Sequence, residues 1–272
     1  MRRIHFYKYH GAGNDFVLID DRQGSANISD HDVAQICDRH LGVGADGLML
    51  LRKSESTDFE MVYYNSDGKK ASMCGNGGRC IVAFAKHLGI IESSTKFMAY
   101  DGLHTAEILE WNGCKGIVKL RMEITSNIKP CLDGWFVDTG SPHYVEVGEY
   151  DSNNYDVVKN GKTLRHNNTF TSIGGTNVDF VKAKNNEEIF VLTYERGVEN
   201  ETLSCGTGVT ASALVFDSLT NNTTTINKKI NVETKGGQFA VYFDKTAEGC
   251  YENIYLQGPV TMVFEGDFLL ND

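Results

Sequence analysis

Two stretches of this chain share one unusual pattern. "MCGNGGRC" occupies residues 73–80 and "LSCGTGVT" residues 203–210, so Cys-Gly-x-Gly occurs twice. Each leads into a segment, "CIVAFAKHL" and "VTASALVFDSL", that is apolar on most sides of a helix, as expected of a helix surrounded by sheet. The spacing predicts helices over about 76–88, stopped by Gly89, and about 207–219. Other landmarks keep the same order at a slowly drifting separation: 131 residues from Cys74 to Cys205, 130 from Asn65 to Glu195, 127 from Asn14 to Ser141 and 135 from Gly102 to Gly237. Ordered landmarks with small insertions indicate a duplicated unit rather than two chance glycine turns. Two copies are too few for a solenoid.

The rest of the sequence reads mostly as strand. "FVLID" (16–20), "FEMVYYN" (59–65), "HTAEIL" (104–109), "GIVKLRM" (116–122), "HYVEV" (143–147), "IFVLTYE" (189–195), "QFAVYF" (238–243) and "VTMVF" (260–264) are rich in β-branched and aromatic residues. A further helix is predicted after Ser29 or Asp30, with Val33, Ile36, Cys37 and Leu41 on one face and Gly42 ending it. "TSNIKPCLDG" (125–134) breaks the strand pattern and marks a junction. The expected fold is α+β, two pseudo-symmetric domains over 1–125 and 126–259, each a sheet wrapped around a central helix.

Composition enters by exclusion. Lys and Arg number 26 against 36 Asp and Glu, a net charge of −10 that repels polyanions, and no basic cluster exceeds a pair; nucleic acid is not an expected partner. No window approaches the ~18 apolar residues needed to span a bilayer, so no membrane is expected and the location expected is cytoplasmic. Seven cysteines without a CxxC pair argue against a disulfide framework or a zinc ribbon. No metal is expected.

Cysteine at a helix start has a specific chemistry. Unpaired N–H groups and the helix dipole favour a thiolate there and bind a carboxylate alongside it, so both Cys74 and Cys205 are expected to ionise readily. Two equivalent thiols on opposite faces of a stereocentre could exchange the roles of base and acid, while the helix starts stabilise charge on the carboxylate as an α-proton leaves. A lone cysteine before a helix is usually a small core residue, which is the role assigned to Cys37 and Cys80; the duplication raises Cys74 and Cys205 above that reading. A thiol peroxidase would want a resolving cysteine nearby, a P-loop a Lys and Ser/Thr, and neither is present. A non-catalytic binding module stays open.

With those residues in view, the chain resembles the diaminopimelate epimerases, amino-acid epimerases that work without pyridoxal phosphate. The likeness spans nearly the whole chain: "HGAGNDFVLID" (10–20), "RHLGVGADGLM" (39–49), "YYNSDGKKASMCGNGGRC" (63–80), "GSPHYV" (140–145), "GTNVDFV" (175–181), "YERGVENETLSCGTGVTASA" (194–213) and "GPVTMVFEGDF" (258–268). The resemblance implies two similar halves, a C-terminal strand (260–272) returning to the first, no cofactor, often a homodimer, and interconversion of L,L- and meso-diaminopimelate on the route to lysine and peptidoglycan. It implies Cys74 and Cys205 as the acid/base pair. It implies Asn14, Asn65 and Asn177 as hydrogen-bond partners of the substrate, and Glu195 and Arg196 as partners of its distal end. Gly75, Asn76, Gly206 and Thr207 would cradle the reacting carboxylate, and His143 would tune cysteine ionisation, with Glu195 as its counterpart across the repeat. The chain departs from the pattern of some members at Gly47, in place of Gln, at Ser141, in place of Asn, and at Gly78, in place of Ala. Racemases of proline, hydroxyproline or histidine are the nearest rivals; the phenazine-pathway-like isomerases lack the cysteine pair.

Overall fold

The computed structural model describes residues 1–151, 154–221 and 223–270. Its contacts divide into two compact units, Met1–Leu120 together with the segment from Pro259, and Arg121–Gly258. In the first unit β1 (Arg2–Gly11) pairs antiparallel with β2 (Asn14–Asp20), and β2 runs parallel to β3 (Gly47–Arg52). β3 is antiparallel to β4 (Phe59–Asn65), which takes the two-residue β5 (Lys70–Ala71) on one stretch. It also runs parallel to β6 (Ser94–Ala99), itself antiparallel to β7 (Gly102–Trp111); β8 (Lys115–Arg121) follows antiparallel on β7.

The second unit repeats this pairing step for step. β9 (Lys129–Cys131) is a short strand on β10 (Gly134–Asp138), and an edge of this kind tolerates Pro130. β10 is antiparallel to β11 (Pro142–Val147), β11 parallel to β12 (Asn177–Asn185), and β12 antiparallel to β13 (Glu188–Glu195). β13 takes the short β14 (Asn200–Thr202) and runs parallel to β15 (Thr225–Thr234), which is antiparallel to β16 (Gly237–Lys245). β17 (Tyr251–Leu270) pairs with β16 up to Gln257 and with β1 from Thr261 onward. "ENIYLQG" (252–258) is thus an ordinary part of this strand.

The register fixes which residues correspond. Phe16 lies opposite Gly47 where His143 lies opposite Asn177, and Met49 lies opposite Tyr63 where Asp179 lies opposite Thr193. His143 therefore corresponds to Phe16. Glu195 ends β13 as Asn65 ends β4, so Glu195 corresponds to Asn65 and is not the counterpart of His143; both belong to the second unit.

Among the described residues four α-helices accompany the strands. α1 (Asp30–Cys37) starts as its sequence implies, with Ser29 and Asp32 forming a reciprocal cap. It ends earlier than expected: the Asp38 carboxylate accepts the N–H groups of His40 and Leu41, which turns the chain and leaves Leu41 83% exposed. α2 (Gly75–His87) and α4 (Gly206–Thr220) begin one residue before the predicted positions. α2 is buried continuously from Gly75 to Ala85, and α4 from Gly206 to Asp217 apart from Thr207. Glycines at 75, 77 and 78 make α2 a poor helix by propensity; the surrounding sheet supplies what propensity lacks. α3 (Val157–Arg165) was not expected from its polar sequence. Asp156 caps it, and Gly161 lets it sit on Tyr194, where an added Cβ would come within 2.3 Å of that side chain.

Candidate active site

Each unit places one cysteine at the start of its central helix. Cys74 is the N-cap of α2, in extended conformation, and its Sγ accepts the Gly77 N–H at 3.2 Å. The last glycine of the motif is there for space: a Cβ on Gly77 would lie 3.1 Å from that sulfur. Asn76 is buried, accepting from Arg79 Nη2 at 2.8 Å and donating to Asn14 Oδ1 at 3.3 Å. Asn14 in turn donates to Asp46 at 2.7 Å.

Arg79 is fully buried, and its Nη1 donates to the Gly75 carbonyl at 2.9 Å. Burial lowers its pKa to about 10, against the negative charge that Cys80 and Cys74 would carry as thiolates. It therefore stays cationic at neutral pH, and a Cys74 thiolate and this guanidinium favour one another. Sequence reasoning passed over Arg79; its signal was a charge set among the apolar residues of the buried part of α2, well before Lys86 and His87 at its end. Asn65 is exposed at the end of β4, opposite Gly47. The Tyr63 ring fills the place of a side chain at position 47, within 2.6 Å of an added Cβ. The Gln-to-Gly departure is thus matched by a neighbouring aromatic ring. Cys37 and Cys80 are buried in their helices.

The second unit builds a different environment around the same backbone. Cys205 N-caps α4 but makes no cap hydrogen bond through its side chain; its Sγ lies 3.3 Å from Thr207 Oγ1. That hydroxyl is 2.9 Å from His143 Nε2, and His143 Nδ1 is 2.6 Å from Asp179 Oδ2. Thr193 Oγ1 donates to the other oxygen of Asp179 at 2.6 Å. His143 and Asp179 have no solvent-exposed surface. Gly208 matches Gly77, and a Cβ here would fall 2.4 Å from Asp179 Oδ1.

The expectation of two easily ionised thiols fails at Cys205. Burial, then the carboxylates of Glu195 and Asp179, push its thiol well above the ordinary cysteine range, outweighing the Thr207 hydroxyl. A helix start lowers a cysteine pKa only where desolvation and nearby carboxylates do not dominate. Cys205 is a neutral thiol at pH 7.

Asn177 is buried, with Nδ2 donating to Ser141 Oγ at 2.8 Å and the Pro142 carbonyl at 2.9 Å, and Oδ1 accepting the Arg196 N–H at 2.9 Å. Ser141 thus keeps a polar contact at the position of the departed Asn. The half-buried Arg196 side chain donates from Nη1 to the carbonyls of Ile173 and Gly175, both at 3.3 Å. Among the described residues no carboxylate lies within ion-pair distance of it. Burial and the neighbouring Arg165 lower its pKa, which is the condition of a cation that a carboxylate ligand would relieve. Among the described residues no group of three or more His, Cys, Asp or Glu side chains is arranged to hold a metal ion, and no helix is long and apolar enough to cross a membrane.

Comparison with known proteins gives a consistent result. The family model described as diaminopimelate epimerase matches residues 6–118 and 135–263. A diaminopimelate epimerase of Flavobacterium psychrophilum is 45% identical over 265 residues, covering 95% of this chain and 98% of that protein. Among solved structures, a phenazine biosynthesis protein of the PhzF family from Bacillus anthracis aligns with TM-score 0.76 at 16% identity, covering 99% of this chain and 100% of that one. A hydroxyproline epimerase from Agrobacterium vitis, with bound trans-4-hydroxy-L-proline, aligns with TM-score 0.72 at 14% identity, over 100% and 94% of the two chains. At those identities the two structures speak to the fold alone.

Proposed function

The chain belongs to the diaminopimelate epimerase family, and from that membership we propose that it interconverts L,L- and meso-2,6-diaminopimelate by two-cysteine acid/base inversion at one α-carbon, in lysine and peptidoglycan precursor synthesis. The observation that carries the reading is the repeated Cys-Gly-x-Gly helix start, with a cysteine as N-cap of the central helix in both units. As thiolate, one sulfur takes the α-proton while the other, as thiol, delivers a proton to the opposite face; the C–H electron pair spends the interval on the carboxylate. N–H groups at Gly75 and Asn76, or at Gly206 and Thr207, are suited to hold that carboxylate because helix-start donors aim at negative charge.

One sulfur must begin as thiol and the other as thiolate. Cys205 with its raised pKa suits the first role and Cys74, beside cationic Arg79 and a donating Gly77 N–H, the second. Arg196 and Glu195 take the carboxylate and ammonium of the distal end, Asn14, Asn65 and Asn177 complete the hydrogen bonding, and His143 adjusts Cys205. No organic cofactor or metal takes part in these steps. A cytoplasmic homodimer belongs to the same reading, supported by family membership, and sedimentation velocity checks the assembly.

The deciding experiment is proton NMR of the reduced protein with L,L-diaminopimelate in D2O, beside Cys74→Ala and Cys205→Ala. Deuterium uptake with formation of the meso isomer that needs both cysteines is the expected result. No exchange in folded, reduced protein would overturn the substrate assignment, and turnover of proline, hydroxyproline or histidine would replace it.

A further inference from the structure

The two units share strand order and register, yet the polar groups behind their cysteines differ. In the second unit Cys205, Thr207, His143, Asp179 and Thr193 form an unbroken series of contacts at 3.3, 2.9, 2.6 and 2.6 Å. The corresponding residues of the first unit are Cys74, Asn76, Phe16, Met49 and Tyr63, and Phe16 and Met49 are fully buried apolar side chains. A polar series was therefore built into one copy of a duplicated scaffold at positions the other copy fills with hydrocarbon and sulfur. Burying an imidazole and a carboxylate is costly unless each is partnered, and here both are.

We propose that Asp179 is a positioning residue for proton transfer at Cys205, acting through His143 and the Thr207 hydroxyl. The proposal rests on the role of Cys205 given above and adds to it a route for the proton. With Asp179 accepting at Nδ1, His143 carries its proton on Nδ1 and offers Nε2 as an acceptor. Thr207 donates to Nε2, and the Cys205 S–H donates to Thr207 Oγ1. When the S–H bond breaks, its proton passes to Oγ1 while the hydroxyl proton passes to Nε2. The product is a thiolate, an intact threonine and an imidazolium held by Asp179. The reverse shift restores the thiol.

Such a route matters because each inversion exchanges the protonation states of the two sulfurs, which must be reset before the same isomer reacts again. The charged and titratable groups facing Cys205 within its unit are Glu195 on β13, Asp179 on β12 and His143 on β11. The Glu195 carboxylate opposes the thiolate through space. Asp179 opposes it directly through space but favours it through His143, and these two influences differ in sign.

That sign provides the test. In a Cys74→Ser background, the rate of Cys205 alkylation by iodoacetamide at pH 8 is followed by peptide mass mapping, which separates it from the exposed Cys114 and Cys250. Asp179→Asn is expected to slow Cys205 alkylation about tenfold, since one pKa unit is a tenfold change in thiolate. With Thr207→Val also present the route is cut, and the same Asp179→Asn change is expected to leave the rate unchanged or raise it. Thr207→Ser, which keeps the hydroxyl, restores the slowing. A faster reaction in Asp179→Asn alone, or equal slowing with and without the Thr207 hydroxyl, would overturn the proposal. Should Asp179→Asn not fold, imidazole 15N shifts of the unsubstituted protein decide: a resting His143 with its proton on Nε2 refutes it. Alkylation needs no substrate, so this outcome is independent of whether Cys205→Ala abolishes epimerisation.

Discussion

Gly208→Ala is a change of one methyl group whose cost can be worked from the surroundings. Gly208 is the third residue of α4 and is not one of the glycines with positive φ, so alanine fits the backbone and by propensity alone would stabilise the helix by up to ~1 kcal/mol. The added Cβ would stand 2.4 Å from Asp179 Oδ1 and 3.1 Å from its Cγ. Asp179 cannot swing aside, because it is fully buried and held at 2.6 Å by both His143 and Thr193. Relief requires a shift of about 1 Å, with overpacking of ~1–3 kcal/mol and loss of one hydrogen bond to a charged group, ~1.5–3 kcal/mol. After the propensity gain the net destabilisation is roughly 1.5–5 kcal/mol. Gly77→Ala, the matching change in the first unit, meets Cys74 Sγ at 3.1 Å and Met49 Sδ at 3.4 Å; a flexible methionine gives way, and the net effect is expected within about 1 kcal/mol of zero. Trp111 and Trp135 lie in different units. In a Trp111→Phe background, Trp135 fluorescence in urea therefore follows the second unit by itself. A Gly208→Ala variant as stable as its parent would refute the steric argument and the placement of Asp179 against α4.

Asp15 is buried enough to raise its pKa, but Arg39 at 2.8 Å and Lys8 at 2.7 Å outweigh this and hold it at about 2. A folded pKa below the unfolded value near 4 adds about 2 kcal/mol of stability above pH 4, lost as the pH falls toward 2; Asp15→Asn should flatten the acid limb of a urea-midpoint titration. Fully buried Asp217 at the end of α4 meets Lys228 at 2.5 Å, Lys245 at 3.2 Å and Tyr251 Oη at 2.9 Å, which hold its pKa down against burial. Lys228→Met should destabilise by no more than the ~3–5 kcal/mol of a broken buried pair, because two partners remain, and in calorimetry by less as the pH falls through the acid range, since the Asp217 carboxyl is held below its ordinary range and its stabilising charge is lost there. Arg196→Met is expected to lower kcat/KM for diaminopimelate roughly 10- to 150-fold, the worth of hydrogen bonds to a charged group at ~1.5–3 kcal/mol; a change under threefold in a coupled assay would remove Arg196 from substrate binding.

Much of the architecture was legible because duplication leaves marks that need no alignment. The two Cys-Gly-x-Gly stretches, the constant order of landmarks and the strand-like runs carry the repeated sheet and its central helix, and an apolar helix with no polar side can only be enclosed. Ser29 announced the start of α1, and the structure adds Asp32 as the other half of its cap. Its end was misread at Leu41, where a side-chain turn by Asp38 overrides hydrophobic spacing. α3 carries only a short apolar face, Val157 and Leu164 around Gly161, too sparse to mark a helix in its polar sequence; the Asp156 cap and the Tyr194 surface under Gly161 account for it.

The sequence by itself determined the chemistry available: a cysteine at each of two helix starts, with the glycines that bring other groups close. The tertiary structure alone decided that the two thiols are unlike. Identical turns are symmetric as strings, but ionisation depends on what lies across the helix start, and that is set by β11, β12 and β13, which bring His143, Asp179 and Glu195 from far along the chain toward Cys205. Arg79, one turn into α2, passes as an ordinary helix residue until burial shows it serving Gly75 and Asn76. Local sequence specifies backbone form; long-range pairing sets the dielectric and the charges that decide which sulfur holds its proton.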